Sequence, residues 1–249
     1  GTQIDISGGR LSSDRHNLFH SFEEFGLTAE QIANFQVDED VHNVLGRVVG
    51  GNASLIDGLI QVTGSSANLY LMNPAGMVFG PNAQLNLAGD FTATTATGIG
   101  MGDDWFNAVG DNRYRRLSGS PTQFSFAGLP SDEFGQTFGS VVNAGELELE
   151  FGQHLMLLGG SVINTGTLEA PGGQITVAAV PNDNVVRVSQ DNMVLNLEME
   201  LEGDPGFHRT SHSPNPLSFS PLALPELLTA PGLEKATNIE VSSNGRVQL

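Results

Sequence analysis

The sequence predicts an all-β protein built as a parallel β-helix. Three observations carry this reading. Apolar and polar residues alternate with period two in many short segments, Gly and Asn turn signals separate those segments, and two segments repeat at an offset of 21 residues.

Ile4-Asp5-Ile6 is the first alternating segment, and the polar-rich residues 7–40 after it read as a cap or insertion over the open end of the stack. Within them Leu27 to Phe35 is the one stretch that reads as helical. Thr28 and Gln31 match a capping box, and Leu27, Ile32 and Phe35 fall at roughly helical spacing. Leu69-Tyr70-Leu71 and Leu85-Asn86-Leu87 return to period two, and Asn52-Ala53-Ser54-Leu55 echoes Asn82-Ala83-Gln84-Leu85 at an offset of 30. Glu146 to Phe151 sets three Glu on one face against Leu147, Leu149 and Phe151 on the other. Val142 to Glu148 aligns with Ile163 to Glu169 at the offset of 21, and the same offset carries Gly152-Gln153-His154-Leu155 onto Gly173-Gln174-Ile175-Thr176.

A repeat of this length with Gly and Asn corners suits one coil of a β-helix, each strand stacked ~4.8 Å from its equivalent. Asn143 over Asn164 is placed to form an amide ladder and to tolerate left-handed backbone. The L-x-x-L-x-L frame of a leucine-rich repeat is absent, and a sandwich would not require the register. Leu195 to Leu201 alternates once more. Prolines from Pro205 to Pro231 remove ladder donors and predict an excursion outside the coils over about 203–233. No linker divides the chain, so 1–249 reads as a single domain.

Composition narrows the function. The 249 residues carry 28 Asp plus Glu against 10 Lys plus Arg, a net charge of −18, which repels phosphate backbones and anionic membranes. The absence of Cys excludes disulfides, zinc–thiolate sites and thiol nucleophiles, and fits either a cytosolic protein or an exported one that must remain unfolded in an oxidising compartment. No apolar run is long enough to span a bilayer as a helix. The chain opens on Gly1 without Met or signal-type residues and reads as a mature or trimmed fragment.

Catalytic motifs are sparse. Asp103-Asp104 beside Trp105 is the best carboxylate pair for glycoside chemistry, but it reads better as an inert polar loop after a Gly-rich segment. Glu148 and Glu169, one coil apart, read as a solvated acidic stripe. His16 and His20 have i, i+4 spacing but no third ligand, and read as surface or cap residues. Arg113-Tyr114-Arg115-Arg116 reads as a solvated loop or an ion-pair partner. No phosphate-binding loop, dinucleotide fingerprint or calcium loop is present, so no cofactor, metal or catalytic residue is expected.

One segment is sharper. Asn68 to Leu85 runs strand, turn, strand, with the turn at Asn73-Pro74-Ala75-Gly76 before Met77. Pro74 suits the second position of a β-turn, the Asn73 side chain can bond nearby backbone, and Gly76 is free to take positive φ. A turn that only shapes a corner would tolerate Asn73→Ser or Asn73→Asp.

This segment resembles the N-terminal domain of filamentous haemagglutinin, the secretion domain of two-partner (type Vb) exoproteins. That family carries Asn-Pro-Asn-Gly-Ile between strands; Asn73, Pro74 and Gly76 match it, while Ala75 and Met77 depart. Asn17-Leu18-Phe19-His20-Ser21-Phe22, Arg47-Val48 and Ile56-Asp57-Gly58 extend the similarity over roughly residues 1–200, with a cyanobacterial flavour at Phe124 to Pro130. The family's second motif, Asn-Pro-Asn-Leu, is not found.

The resemblance implies a right-handed parallel β-helix with an N-terminal cap and no catalytic activity. It implies export through the periplasm and outer membrane to the cell surface, as the head of an adhesin- or haemagglutinin-like protein. The implied partner is a TpsB-type β-barrel transporter of the Omp85 superfamily, acting through its periplasmic POTRA domains, with Asn73, Pro74, Ala75, Gly76 and Met77 as the secretion motif and the domain itself a monomer. The competing reading is a carbohydrate-active β-helix enzyme or a sugar-binding module, for which one Trp and two Tyr offer few stacking platforms.

Overall fold

The computed structural model describes residues 1–127, 139–180 and 184–188, and the backbone of 195–199, 240–241 and 247–248. Three sheets wind around one apolar interior, and the chain visits them in turn. Strands β1 (Thr2–Ile6), β2 (Arg10–Leu11) and β3 (Asn17–Phe22) form the first coil; β4 (Gln31–Gln36), β5 (Asn43–Val48) and β6 (Ser54–Ile56) form the second. The third holds β7 (Leu59–Thr63), β8 (Asn68–Met72) and β9 (Met77–Phe79), and the fourth begins with β10 (Gln84–Asn86) and β11 (Phe91–Thr94).

The chain then leaves the stack to make β12 (Gly98–Met101), β13 (Asp104–Asn107), a 3₁₀ turn at Tyr114–Arg116 and β14 (Pro121–Ser125). It returns with β15 (Ser140–Asn143), β16 (Glu146–Glu148), β17 (Leu155–Gly159), β18 (Ser161–Asn164), β19 (Thr167–Glu169) and β20 (Ile175–Ala179), followed by β21 (Asn184–Val188) and β22 (Leu195–Met199). Short strands β23 (Glu240–Val241) and β24 (Val247–Gln248) close the order at the far end of the first sheet, beyond β19.

Sheet A runs β1-β4-β7-β10-β16-β19, sheet B runs β3-β5-β8-β11-β17-β20, and sheet C runs β6-β9-β15-β18, each with parallel neighbours. The chain is therefore a parallel β-helix. The offset of 21 is a true coil register: Asn143 faces Asn164, Leu147 faces Leu168 and Glu148 faces Glu169. The ladder forms as well, with Asn143 Nδ2 donating to Asn164 Oδ1 at 2.7 Å. Neither Asn has positive φ, however. Each lies in an extended strand, and the Asn143 carbonyl oxygen of the side chain accepts from Gly145 N to shape the corner.

Several expectations need correction. Leu155 faces Ile175, so the register beyond the corner is 20 rather than 21, one residue having been dropped at the turn. The offset of 30 is not a register: Ser54 faces Met77 in sheet C, whereas Gln84 faces Leu59 in sheet A. Phe151 does not continue the face of Leu147 and Leu149. The strand ends at Glu148, and Phe151 sits at the turn, 82% exposed, over Gly172 of the next coil. Leu195 to Met199 is a strand, but it pairs antiparallel with β21 outside the stack. The proline-rich segment 203–233 lies outside the described residues.

Leu27 to Phe35 is not helical. Gln31 N donates to Thr28 O and Gln31 Oε1 accepts from Thr28 N, so half a capping box forms, but it closes a tight turn. The residues after it become β4 because β1 and β7 pair with both edges and bury Ala33 and Phe35. Tertiary pairing overrides a weak local preference. Within 7–40, then, β3 and β4 are rungs of the stack, and β2 alone runs antiparallel at its end.

Strands β5, β11 and β17 of sheet B are buried on both faces, which explains the near-continuous apolar sequence of β17. On β5, β8 and β17, Val44, Leu69, Leu155 and Leu157 point into the coil interior, while Leu45, Met72, Met156 and Leu158 point outward. The outward set packs against Ile99, Phe106, Phe124 and Phe126 of the excursion, whose strands form a separate antiparallel sheet. Its neck is closed by Thr95 Oγ1 donating to Gly139 O.

Arg47 fixes the excursion to the stack. Its guanidinium, 9% exposed, donates from Nη1 to the carbonyls of Asn107 and Gly110 and from Nε to Ser21 Oγ, and lies over the Phe106 ring. Arg47→Ala removes these bonds from a buried seam and is expected to cost about 2–4 kcal/mol. A chemical-denaturation curve followed by the lone Trp, Trp105 on β13, checks this, and an unchanged midpoint would refute it.

His20 is buried, not a surface residue. It packs against Phe22 and Phe35, its Nε2 has no partner among the described residues, and burial holds its pKa below the ordinary value. A group whose folded pKa is depressed binds its proton first in the unfolded chain. Stability is thus full above about pH 6.5 and falls as the pH drops through that value toward the folded pKa. Denaturation midpoints at pH 7.5 and 5.5 should differ, and His20→Phe should reduce the difference. The lowered pKa values of Asp5 and Asp14 act below this window.

Candidate functional site

The turn from Asn73 to Met77 joins β8 to β9 at the corner between sheets B and C. Gly76 N donates to Asn73 O at 3.0 Å, which closes a four-residue turn with Pro74 at its second position. Asn73 Oδ1 accepts from Ala75 N at 3.0 Å, so the side chain rigidifies its own turn. Its Nδ2 reaches the preceding coil and donates to Asn52 O and Ser54 Oγ, both at 3.0 Å. Its backbone N donates to Thr94 O of the following coil, also at 3.0 Å.

Gly76 has φ +120°, and a Cβ built there would lie 3.2 Å from Ser140 O. Gly76 O accepts from Ser54 N. From the other side Gly139 presses on the turn so closely that a Cβ there would meet Pro74 O at 2.2 Å. One corner therefore binds the coils before and after it, including the point where the excursion rejoins the stack.

The motif residues come together as one unit, and they are buried. Asn73 and Ala75 are 0% exposed, Met77 is 1% exposed, and Pro74 and Gly76 are buried between them. None of the five carries an ionisable or nucleophilic group. What the corner can do chemically is hold geometry through amide hydrogen bonds. Aspartate at position 73 would keep an acceptor for Ala75 N, but a carboxylate cannot donate to the Asn52 carbonyl, so the corner asks for more than a turn-capping oxygen.

The other candidates are dispersed. Gly102-Asp103 is the two-residue tip of the β12–β13 hairpin, and Asp104 is held by Arg116, Nε to Oδ2 at 3.1 Å. Those carboxylates belong to a hairpin rather than facing each other across a groove. Glu148 and Glu169 stack on the outer face of sheet A. His16 does not approach His20; its ring stacks on His42 of the next coil at 4.3 Å. Among the described residues no three His, Asp or Glu gather as metal ligands would.

A second Asn ladder escaped the sequence reading. Asn43 Nδ2 donates to Asn17 Oδ1 and Asn68 Nδ2 to Asn43 Oδ1, while Asn17 Nδ2 donates to the carbonyls of Leu117 and Gly119 in the excursion. Its signal was present: Asn17-Leu18-Phe19, Asn43-Val44-Leu45 and Asn68-Leu69-Tyr70 each place Asn before an aliphatic residue and a large side chain.

A family model described as TPS secretion domain matches residues 1–220 of the chain. No curated protein matches it.

Proposed function

The chain belongs to the TPS secretion domain family, and from that premise we propose that it is the targeting and folding-nucleus segment of a large surface exoprotein, recognised during export by an Omp85-type outer-membrane transporter through its periplasmic POTRA domains. The domain is a secretion module of a two-partner exoprotein. In the proposal it stays monomeric, reaches the cell surface through the periplasm and outer membrane, and carries no catalytic residue of its own.

One observation supports this reading most. Asn73 to Met77 are buried, yet they join successive coils, so a partner reaches these side chains only before the coils close. The motif is then read in the unfolded chain and acts in the folded one as the clasp that sets the first coils. A repeat stack can extend coil by coil from such a nucleus as the chain emerges. The acidic, Cys-free chain remains soluble and uncrosslinked while extended.

The test uses purified POTRA domains of the partner transporter. The 249-residue chain diluted from urea into them should be captured, and the same chain folded beforehand should not. Equal capture of the folded chain would overturn recognition before closure, and capture of neither would overturn the partner assignment.

A further inference from the structure

Basic residues are scarce in this chain, yet several lie on the first two coils and on the excursion strands' 3₁₀ turn. Arg10 lies on β2, Arg47 on β5, and Arg113, Arg115 and Arg116 at the 3₁₀ turn, five of the 10 Lys plus Arg in a chain of net charge −18. The turn lies beside the loop after β2, where Ser13 N donates to Arg115 O. Between these elements the stack is incompletely covered. β2 pairs only with Leu18 and Phe19, because Gly8 and Gly9 take positive φ (78° and 97°) and turn the chain aside.

The space left is an open pocket of about 390 Å³ lined by Gly9, Arg10, Phe19, His20, Ser21 and Tyr114. Each of its polar side chains has a hydrogen to donate. Arg10 is exposed and offers its guanidinium. Ser21 Oγ accepts from Arg47 Nε at 2.7 Å, and the Tyr114 hydroxyl lies 3.5 Å from Arg47 Nη2, so both hydroxyl hydrogens can point into the pocket. His20 is 8% exposed with an unpartnered Nε2. No carboxylate lines the space.

Arg47 supplies the field behind this wall. Its buried guanidinium is satisfied by carbonyls and hydroxyls, and among the described residues it forms no ion pair, so its charge is not neutralised locally. A pocket with a guanidinium and hydroxyl donors in its lining and no carboxylate selects an oxyanion. Donors arriving from three separate elements surround a ligand instead of meeting it in one plane, which suits a tetrahedral group better than a planar carboxylate. We propose that this pocket binds a phosphate or sulfate group borne by a small ligand.

The test titrates the folded 249-residue chain with inorganic phosphate, sulfate and acetate at constant ionic strength, reading backbone amide NMR shifts. Phosphate and sulfate should give saturable shifts at Gly9, Arg10, Ser21 and Tyr114, and acetate should bind about tenfold more weakly. The ratio of the phosphate and sulfate affinities identifies which of the two groups is preferred. Loss of one charge-assisted donor in Arg10→Gln should weaken binding by about tenfold or more. Arg187→Gln, on the exposed face of β21, makes the same charge change and should leave the affinity within about twofold. Shifts that spread over the surface without saturating, or equal weakening by both variants, would overturn the site. Arg10 is exposed, so its replacement leaves the fold intact for the comparison.

Discussion

Leu147→Asp should unfold the stack or cost ~3 kcal/mol or more, because it places a carboxylate where no partner can reach it. Leu147 is 0% exposed, faces Leu168 of the next coil, and lies in the cluster that also holds Leu149, Phe79 and Ala170. In a solenoid the consequence spreads, since each coil is stabilised chiefly by its neighbours. Leu147→Ala gives the milder comparison at about 2–5 kcal/mol, the usual range for a buried cavity. Denaturation curves for both variants decide it. A near-native midpoint for Leu147→Asp would place that face in solvent and break the register.

The second large effect belongs to Asn73. Asn73→Ala leaves Ala75 N, Ser54 Oγ and Asn52 O without the amide that served all three, the first two of them in buried bonds. The expected loss is about 2–4 kcal/mol. Asn73→Asp keeps the bond from Ala75 N but sets negative charge against the Asn52 carbonyl, so it should be at least as damaging. Asn73→Ser is too short to bridge both coils. Gly76→Val adds strain of a different kind, since φ +120° is closed to a β-branched residue and Ser140 O leaves its Cβ little room. The midpoints should therefore fall for all four variants. Stability retained by Asn73→Asp would mean that the amide donors contribute little.

The parts of this fold that were legible share a property: they repeat without interruption. Asn143 and Asn164, or Leu147 and Leu168, sit in neighbouring coils with equal corners, so the register survives in the sequence. Earlier coils differ in corner length. Thr2 faces Gln31, Ile32 faces Leu59 and Leu59 faces Gln84, spacings of 29, 27 and 25, and no single offset aligns them. Gln84 faces Glu146 across the whole excursion, which hides that coil altogether.

The excursion had its own signal. Gly98 to Asn107 folds into a hairpin around Gly102-Asp103, a Gly-Asp tip of the kind that marks a two-residue turn between strands. Burial of Arg47 and His20 could not be read locally. Both lie on strands whose covering elements come from elsewhere in the chain, Asn107 and Gly110 over Arg47 and Phe35 beside His20. For the motif the sequence was informative about the turn and silent about its neighbours, so the donors to Asn52 and Ser54 and the burial of the corner emerged only from the fold.

The most direct test of the central claim measures two quantities on the same variants: the melting temperature of the purified domain and the amount of exoprotein exported with its partner barrel. The set is wild type, Asn73→Asp, Asn73→Ala and Gly76→Val. If the corner is the clasp that closes the first coils, export and melting temperature fall together and in the same order. Export of Asn73→Ala at the wild-type level, with its melting temperature lowered, would contradict that claim.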